Sequence, residues 1–249
     1  MVSAMSKVAV IGARGRMGTA TQAAIDAAEG LELVPGVDVG DDIDMLARGG
    51  AQVAVDFTHP GAVMDNLRWC IEHGIHVVVG TSGVSGERLT QIREWLDGTE
   101  VGVLVVPNFS IGAVLMMRFA AEAARYFESV EIVELHHPDK VDAPSGTAAR
   151  TAELVAEARA LAERPPLPDA TVSDPDGARG ARVQGIPVHS VRVRGLVAHQ
   201  EVLLGGVGET LSIRHDSVDR SSFMPGVLAA VRAVPQRPGL TVGLEHVLA

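Results

Sequence analysis

The sequence contains a single cysteine, few aromatic residues and no long apolar run. Cys70 alone cannot form an intramolecular disulfide, and its apolar helical surroundings predict a buried structural thiol. No apolar stretch reaches the roughly 18 to 20 residues that a membrane span requires, so we expect a soluble protein with no membrane partner. The net charge is −10 and aromatic residues make up 3% of the chain, which provides neither a basic face for phosphates nor a stacking surface for bases. We therefore do not expect a nucleic-acid partner.

The N-terminal segment, MVSAMSKVAVIG, also lacks the basic region, long apolar core and cleavage signal of a secretory leader. It leads almost at once into a strand pattern, and we therefore expect a cytoplasmic protein. With 249 residues, the chain is long enough for one large domain or two ordinary ones.

Short β-branched runs alternate with helical patterns in the first part of the chain. The runs are KVAVIG, LELVPGV, AQVAVDFT, IHVVVGTSG and VGVLVVPNF. Strands that are apolar throughout are typical of a parallel sheet covered by helices on both faces, so we predict a Rossmann-type, doubly wound α/β domain. Pro35 removes a backbone donor where this fold places an internal strand, and this predicts a strand irregularity at that position.

The pattern changes at Ile111, where a long helix is followed by the strand SVEIVELHH and the helix GTAARTAELVAEARAL. Three later runs, IPVHSVRVRG, VAHQEVLLG and ETLSIRHDS, recur at a spacing of about ten residues and predict an antiparallel meander. The last segment, SSFMPGVLAAVRAV, is helical again and is expected to return to the first domain. We therefore predict a dinucleotide-binding domain of residues 1–110 and 216–249, and a second, α+β domain of residues 111–215.

A glycine-rich turn follows the first strand and leads into a helix. Glycines at this place let backbone N–H groups approach a pyrophosphate, and the helix N-terminus adds a favourable dipole. Asp38 closes the next strand about twenty residues on, where its carboxylate would accept hydrogen bonds from the adenosine ribose. The pattern predicts a nicotinamide dinucleotide, although a glycine-rich turn without a ligand has the same spacing. The turn residues are Gly12, Ala13, Arg14, Gly15, Arg16, Met17 and Gly18.

The charges around this turn bear on the choice of nucleotide. Asp38 should repel the 2′-phosphate of NADPH, whereas Arg14 and Arg16 could offset the repulsion by pairing with phosphate oxygens. We predict use of NADH or of both nucleotides.

Two further segments follow strands, at the edge where an open α/β sheet binds its ligand, although each could also be an ordinary turn. They consist of Gly80, Thr81 and Ser82, and of Val106, Pro107, Asn108 and Phe109.

The segment ELHHPDKVDAPSGTA, residues 134–148, concentrates polar side chains between a strand and a helix. Adjacent side chains of a strand point to opposite faces, so His136 and His137 should have different roles. Side-by-side histidines also chelate poorly, and no third His or Cys stands at a ligand spacing, so we predict no metal. Asp139 and Asp142 are expected to form turns or to be solvated charges.

A carboxylate receptor is predicted at the end of this segment. Ser145 is a natural N-cap, which alone would explain its presence. With Lys140 nearby, the free amides around Gly146 and Thr147 would also bind an anion. A neighbouring histidine could donate a proton near working pH. The pattern predicts an anionic substrate that is protonated while a nicotinamide delivers hydride.

The motifs GARGRMG, DFTHP, GTSG, PNFSIGAV and ELHHPDKVDAPSGTA resemble those of the dihydrodipicolinate reductase (4-hydroxy-tetrahydrodipicolinate reductase) family, especially its actinobacterial members. The resemblance spans nearly the whole chain. It implies NAD(P)H-dependent reduction of 4-hydroxy-tetrahydrodipicolinate to tetrahydrodipicolinate in the diaminopimelate and lysine pathway. It also implies a homotetramer, built through a second domain that binds the substrate. The alternatives are another two-domain NAD(P)-dependent dehydrogenase, acting on an amino acid, and a non-enzymatic nucleotide sensor.

The resemblance also implies roles for individual residues. His136 would be a proton donor or acceptor, and Lys140 a proton donor. The substrate would be held by His137, Lys140, Ser145, Gly146 and Thr147. The nucleotide would be held by residues 12–17, Asp38, residues 80–82 and residues 106–109. Arg214 is either another carboxylate contact or a salt-bridged surface residue. The sequence departs from the family's usual Gly-Thr-Thr-Gly-Phe motif at Ser82, which keeps the hydroxyl, and at Val84, which loses the aromatic ring.

Overall fold

The computed structural model describes residues 5–248 and divides into two compact units. Unit 1 runs to Ile111 and resumes at Arg220, and unit 2 spans Gly112–Asp219. Among the described residues, no helix has both the length and the apolar character needed to cross a membrane.

Unit 1 contains a six-stranded sheet in the order β11-β5-β4-β3-β1-β2, and all of its strands are parallel. The strands are β1 (Ser6–Ile11), β2 (Leu31–Leu33), β3 (Val53–Asp56), β4 (His76–Val79), β5 (Gly102–Val105) and β11 (Gly239–Val242). Strands β3 and β5 are buried at every position, as expected for a sheet covered on both faces. The predicted Rossmann-type sheet is confirmed, whereas β11 was not predicted.

The helices of unit 1 are α1 (Arg16–Asp26), α2 (Met45–Arg48), α3 (Val63–Glu72), α4 (Gly86–Leu96) and α7 (Met224–Ala233). Cys70 lies on α3 with no exposed surface, and burial raises the pKa of its thiol to about 12. A thiol with such a pKa stays protonated and unreactive at neutral pH. The predicted structural role of Cys70 is therefore confirmed.

The prediction for Pro35 is correct in one respect and wrong in another. Backbone N–H groups of Val34 and Val37 donate to carbonyls of β1 at 3.0 and 2.9 Å, so the ladder skips Pro35 and then resumes. The predicted irregularity is thus confirmed. However, β2 is the outermost strand of the sheet, not an internal one. A proline is tolerated there because an edge strand needs fewer ladder donors.

Unit 2 contains a mixed five-stranded sheet in the order β10-β9-β6-β8-β7. Its elements are α5 (Ile111–Ala123), β6 (Ser129–His136), α6 (Gly146–Leu161), β7 (Ala181–Val183), β8 (Ile186–Arg192), β9 (Ala198–Gly206) and β10 (Glu209–Ser217). One face of the sheet packs on the two helices through apolar residues such as Ile132, Val155 and Val202. The predicted α+β architecture and the bounds predicted for α6 are confirmed.

The predicted antiparallel meander is wrong, because β6 lies between β8 and β9. Strand β8 pairs with β6 in parallel, and β9 pairs with β6 in antiparallel orientation. Only β9 and β10 form the expected antiparallel neighbours. Alternation of apolar residues shows which side chains face the core, but it does not identify the neighbouring strand. As a result, His136 at the end of β6 lies between Arg192 and Ala198.

Candidate active site

The glycine turn of unit 1 requires glycine for two close backbone approaches. A Cβ on Gly12, whose φ is +85°, would lie 2.5 Å from the carbonyl oxygen of Phe57. A Cβ on Gly18 would lie 2.1 Å from the carbonyl oxygen of Gly12. The N-cap of α1 is Gly15, and no side chain caps this end. This cradle of bare backbone at a helix N-terminus fits a pyrophosphate.

The side chain of Asp38 ties the second strand to the glycine turn. Its Oδ2 accepts from the backbone N–H of Arg14 at 2.7 Å, and its Oδ1 accepts from that of Val39 at 2.8 Å. These two backbone hydrogen bonds lower the pKa of Asp38, so the carboxylate is ionised at neutral pH. The guanidinium of Arg14 binds Asp41 Oδ2 at 2.8 Å, while Arg16 is exposed.

A buried carboxylate that the sequence reasoning missed holds the next predicted nucleotide segment. Asp56, at the end of β3, has no exposed surface and accepts from the hydroxyls of Thr81 at 2.5 Å and Thr58 at 2.7 Å. The amide of Asn66 donates to its other oxygen at 2.8 Å. The available signal was an aspartate that closes the apolar run AQVAVDFT. Thr81 is therefore turned inward, whereas Ser82 is exposed.

The two predicted segments after β4 and β5 meet at a pair of aromatic rings. The ring centroids of Phe57 and Phe109 are 5.4 Å apart, and a Cβ on Gly80 would lie 2.1 Å from the first ring and 2.7 Å from the second. Val106 is buried and Pro107 is exposed. The side-chain oxygen of Asn108 accepts from the backbone N–H of Ser110 at 2.9 Å. Val84, which lacks the family's ring, packs on the core of unit 1.

In unit 2, a second buried carboxylate organises the predicted catalytic loop. Glu134 has no exposed surface, and its Oε2 lies 2.5 Å from Nδ1 of His136. The guanidinium of Arg192 donates to both carboxylate oxygens at 2.8 Å, and the backbone N–H of Ser145 donates to Oε1 at 3.2 Å. The sequence reasoning missed Glu134 and Arg192. The signal for Glu134 was a charged residue on the apolar, inward face of β6.

The pKa values of this pair follow from burial and partners. Burial raises the pKa of Glu134, but the hydrogen bonds from Arg192, Ser190 and His136 outweigh it and leave a lowered pKa. Burial lowers the pKa of His136, and the carboxylate of Glu134 opposes this only in part. Glu134 is therefore ionised at neutral pH, and the imidazole of His136 stays neutral to a lower pH than usual.

The predicted carboxylate receptor is engaged by a carboxylate of the loop itself. Lys140 Nζ lies 2.7 Å from Asp142 Oδ1. The hydrogen bond from Lys140 is the largest cause of the lowered pKa of Asp142. Asp142 thus pairs with the ammonium that was predicted to bind a substrate carboxylate, and the backbone N–H of Gly146 makes a smaller contribution to its lowered pKa.

The start of α6 matches the predicted cap. Ser145 is buried, and its hydroxyl oxygen accepts from the backbone N–H of Ala148 at 3.2 Å, which confirms the N-cap prediction. The carbonyl of Thr147 accepts from the hydroxyl of Thr151 at 2.8 Å, and Gln200 donates to that hydroxyl at 2.7 Å. The first turn of α6 is therefore anchored from within the sheet.

The remaining predicted residues lie further out. His137 follows the end of β6 and is exposed. Arg214 forms ion pairs with Glu201 at 3.3 Å and Asp216 at 3.0 Å, which matches the salt-bridged alternative. Across residues 5–248, no group of three or more His, Cys, Asp or Glu side chains could hold a metal ion.

Comparisons with known proteins agree with this organisation. The family model "Dihydrodipicolinate reductase, N-terminus" matches residues 6–109, and "Dihydrodipicolinate reductase, C-terminus" matches residues 112–248. A 4-hydroxy-tetrahydrodipicolinate reductase of Streptomyces griseus is 62% identical, over 97% of this chain and 97% of that protein. One of Mycolicibacterium vanbaalenii is 60% identical, over 97% and 98%. The solved structure of dipicolinate-bound dihydrodipicolinate reductase from Paenisporosarcina sp. TG-14 has a TM-score of 0.86 at 38% identity, covering 97% of this chain and 99% of that one.

Proposed function

The chain belongs to the dihydrodipicolinate reductase family and is an oxidoreductase, and from this premise we propose how its two units carry out the reaction. The reaction is the reduction of 4-hydroxy-tetrahydrodipicolinate to tetrahydrodipicolinate in the diaminopimelate and lysine pathway. Membership of the family favours this activity over an amino-acid dehydrogenase and over a nucleotide sensor. The observation that carries the mechanism is the buried Glu134–His136 pair, which lies beside the N-terminus of α6.

Unit 1 would hold the nicotinamide nucleotide, which supplies hydride when bound. The close approaches at Gly12 and Gly18 support a pyrophosphate at the start of α1. The ionised carboxylate of Asp38 would accept from ribose hydroxyls. The other residues proposed to hold the nucleotide are Ala13, Arg14, Gly15, Arg16, Met17, Gly80, Thr81, Ser82, Val106, Pro107, Asn108 and Phe109.

Unit 2 would bind the dicarboxylate substrate and move the protons. Lys140 and the first-turn amides at Gly146 and Thr147 would hold one carboxylate, with Ser145 and His137 as neighbouring donors. His136 would exchange a proton with the reacting ring, and Lys140 would supply a further proton. These roles agree with the buried carboxylate behind His136 and with the cationic, amide-rich helix start.

The reaction is tested by a coupled assay. Aspartate semialdehyde and pyruvate are supplied with a synthase that forms the cyclic product, and oxidation of NADH or NADPH is followed by absorbance. We expect nucleotide oxidation only when the synthase is present. Oxidation driven by an amino or keto acid alone, or none at all, would contradict the proposed function.

Lys140→Ala is expected to lower kcat and to raise KM for the cyclic substrate, each by about tenfold or more. The physical reason is the loss of both a proton donor and a carboxylate partner. Lys7→Ala is the control, because Lys7 makes only a long 3.9 Å ion pair with Glu32 on β2. An unchanged KM in Lys140→Ala would remove Lys140 from the proposed receptor.

The nucleotide preference is expected to be for NADH or for both nucleotides. Asp38 places an ionised carboxylate at the predicted ribose site, and Arg14 is already bound to Asp41. The dissociation constant of each nucleotide can be measured by fluorescence. NADH should bind more tightly than NADPH, or NADPH should bind more tightly by no more than about tenfold. Binding of NADPH alone would contradict the role proposed for Asp38.

We also propose that the chain forms a cytoplasmic homotetramer through the sheet of unit 2. The outer face of this sheet carries Leu203, which is 39% exposed between the buried Val202 and Leu204. Exposed apolar side chains on a sheet face favour association. Light scattering of the purified protein should give four times the chain mass of 26.0 kDa, and a monomer would contradict the proposal.

A further inference from the structure

The buried carboxylate of Glu134 contacts one particular ring nitrogen of His136, which is Nδ1. A simple ion pair would not require a particular nitrogen. We infer that Glu134 is a positioning residue that keeps Nδ1 of His136 protonated, so that Nε2 is the nitrogen that exchanges the proton with the substrate. This inference rests on the proposed function, because it gives the atom through which His136 acts.

The tautomer follows from the partners of the carboxylate. Arg192 donates to both oxygens of Glu134 at 2.8 Å, and the backbone N–H of Ser145 donates to Oε1. An ionised carboxylate can only accept hydrogen bonds. The 2.5 Å contact with His136 therefore requires a hydrogen on Nδ1. In a neutral imidazole, Nε2 is then the nitrogen with the free lone pair.

The same carboxylate also positions the substrate-binding loop. One oxygen of Glu134 holds the N-cap of α6 through the backbone N–H of Ser145, while the other holds His136. Arg192 donates in addition to the carbonyl oxygen of Asp142 at 2.7 Å. One buried ion pair thus connects the proton-transfer residue, the anion-binding helix end and the loop that carries Lys140. A hydrogen bond to one ring nitrogen of a histidine sets which nitrogen carries the proton, so this ion pair can act on the function of His136 as well as on the fold.

The chain contains a matched control on the same strand. Glu131 also binds a histidine and an arginine, His189 and Arg179, but it lies on the opposite face of β6. Its contact is with Nε2 of His189, at 2.6 Å. A general need for charged pairs on this strand would make Glu131 and Glu134 equally important to the fold. Only Glu134 should affect proton transfer.

The first test requires no substitution at Glu134. Nitrogen-15 NMR of histidine-labelled protein, with the His136 signals assigned by their loss in His136→Ala, reports which ring nitrogen carries the proton. Above the pKa of His136, we expect a protonated Nδ1 and an unprotonated Nε2. A protonated Nε2 in the native protein would overturn the inference, whatever the assay shows.

The second test compares Glu134→Gln with Glu131→Gln in the coupled assay, after circular dichroism and light scattering have shown native folding and assembly. Glu134→Gln is expected to lower kcat by about 10- to 100-fold with an unchanged dissociation constant for the nucleotide. The carboxylate raises the pKa of His136, so its removal should also move the His136-dependent limb of the pH profile to lower pH. Glu131→Gln should leave kcat and the pH profile unchanged.

The outcomes separate the inference from the proposed function. If the native protein does not use the cyclic product, the proposed function fails. If the native protein is active and Glu134→Gln keeps its kcat and its pH profile, the positioning role fails alone. Equal losses in both glutamine variants would also overturn it, because they would indicate a purely structural role. If Glu134→Gln does not fold, the NMR measurement alone decides the inference.

Discussion

His136→Ala is expected to lower kcat by about 10²- to 10⁴-fold, the range that a general acid or base contributes. The affinity for the nicotinamide nucleotide should not change, because His136 lies in unit 2 and the proposed nucleotide residues lie in unit 1. The coupled assay gives kcat, and quenching of protein fluorescence gives the dissociation constant of the nucleotide. Both measurements are made on the same purified variant.

The control for this experiment is His189→Ala. His189 also binds a glutamate of β6, Glu131, but this pair lies on the opposite face of the strand from His136. Its removal should leave kcat unchanged. A His136→Ala variant with full turnover would assign the proton transfer to another group, and a similar loss in both variants would indicate damage to the sheet instead.

Gly12→Ala is expected to destabilise the protein and to weaken nucleotide binding at least tenfold. An alanine at φ +85° costs about 1–2 kcal/mol, and the clash with the carbonyl of Phe57 costs about 1–3 kcal/mol more. The predicted loss of unfolding free energy is thus about 2–5 kcal/mol, a large share of the roughly 5–15 kcal/mol of a typical domain. Denaturant unfolding and nucleotide titration measure the two effects.

Gly30→Ala separates the two costs. Gly30 has a φ of +77°, but nothing lies within 4 Å of the position of its Cβ. This variant should lose only about 1–2 kcal/mol of stability and keep its nucleotide affinity. If both variants bound the nucleotide as the native protein does, the backbone approach at Gly12 would not be needed for binding.

Much of the fold could be predicted because its signals are local. The parallel sheet of unit 1 follows from runs of apolar residues, and the start of α6 follows from a serine before helical periodicity. Strand pairing in unit 2 is not local, since β6 joins β8 and β9 across more than 50 residues of chain. The meander prediction was therefore wrong, because the spacing of the runs along the sequence does not show that a strand from a distant part of the chain lies between them.

In the candidate site, too, local features could be predicted from the sequence and long-range contacts could not. His136, Lys140 and Ser145 stand in one short segment and could be recognised together. Arg192 contacts Glu134 across 58 positions of sequence, and no local pattern relates the two. Asp56 was missed for a similar reason, because its hydrogen bond to Thr81 joins the ends of two strands separated by a helix. Buried polar networks of this kind are formed by tertiary structure.

The side chain of Asp142 gives the loop a counter-ion of its own. A ligand carboxylate bound by Lys140, as proposed, would replace Asp142 at an ammonium that is already neutralised, so its binding would be an exchange of one anion for another. Asp142, with 51% of its side chain exposed, can return to water at little cost. A ligand with one carboxylate would gain little from this exchange, because Asp142 already supplies the same contact to Lys140. A ring that carries two carboxylates would gain further contacts through the second one. If Lys140 binds the substrate as proposed, the loop would discriminate between acids by the number of their charges.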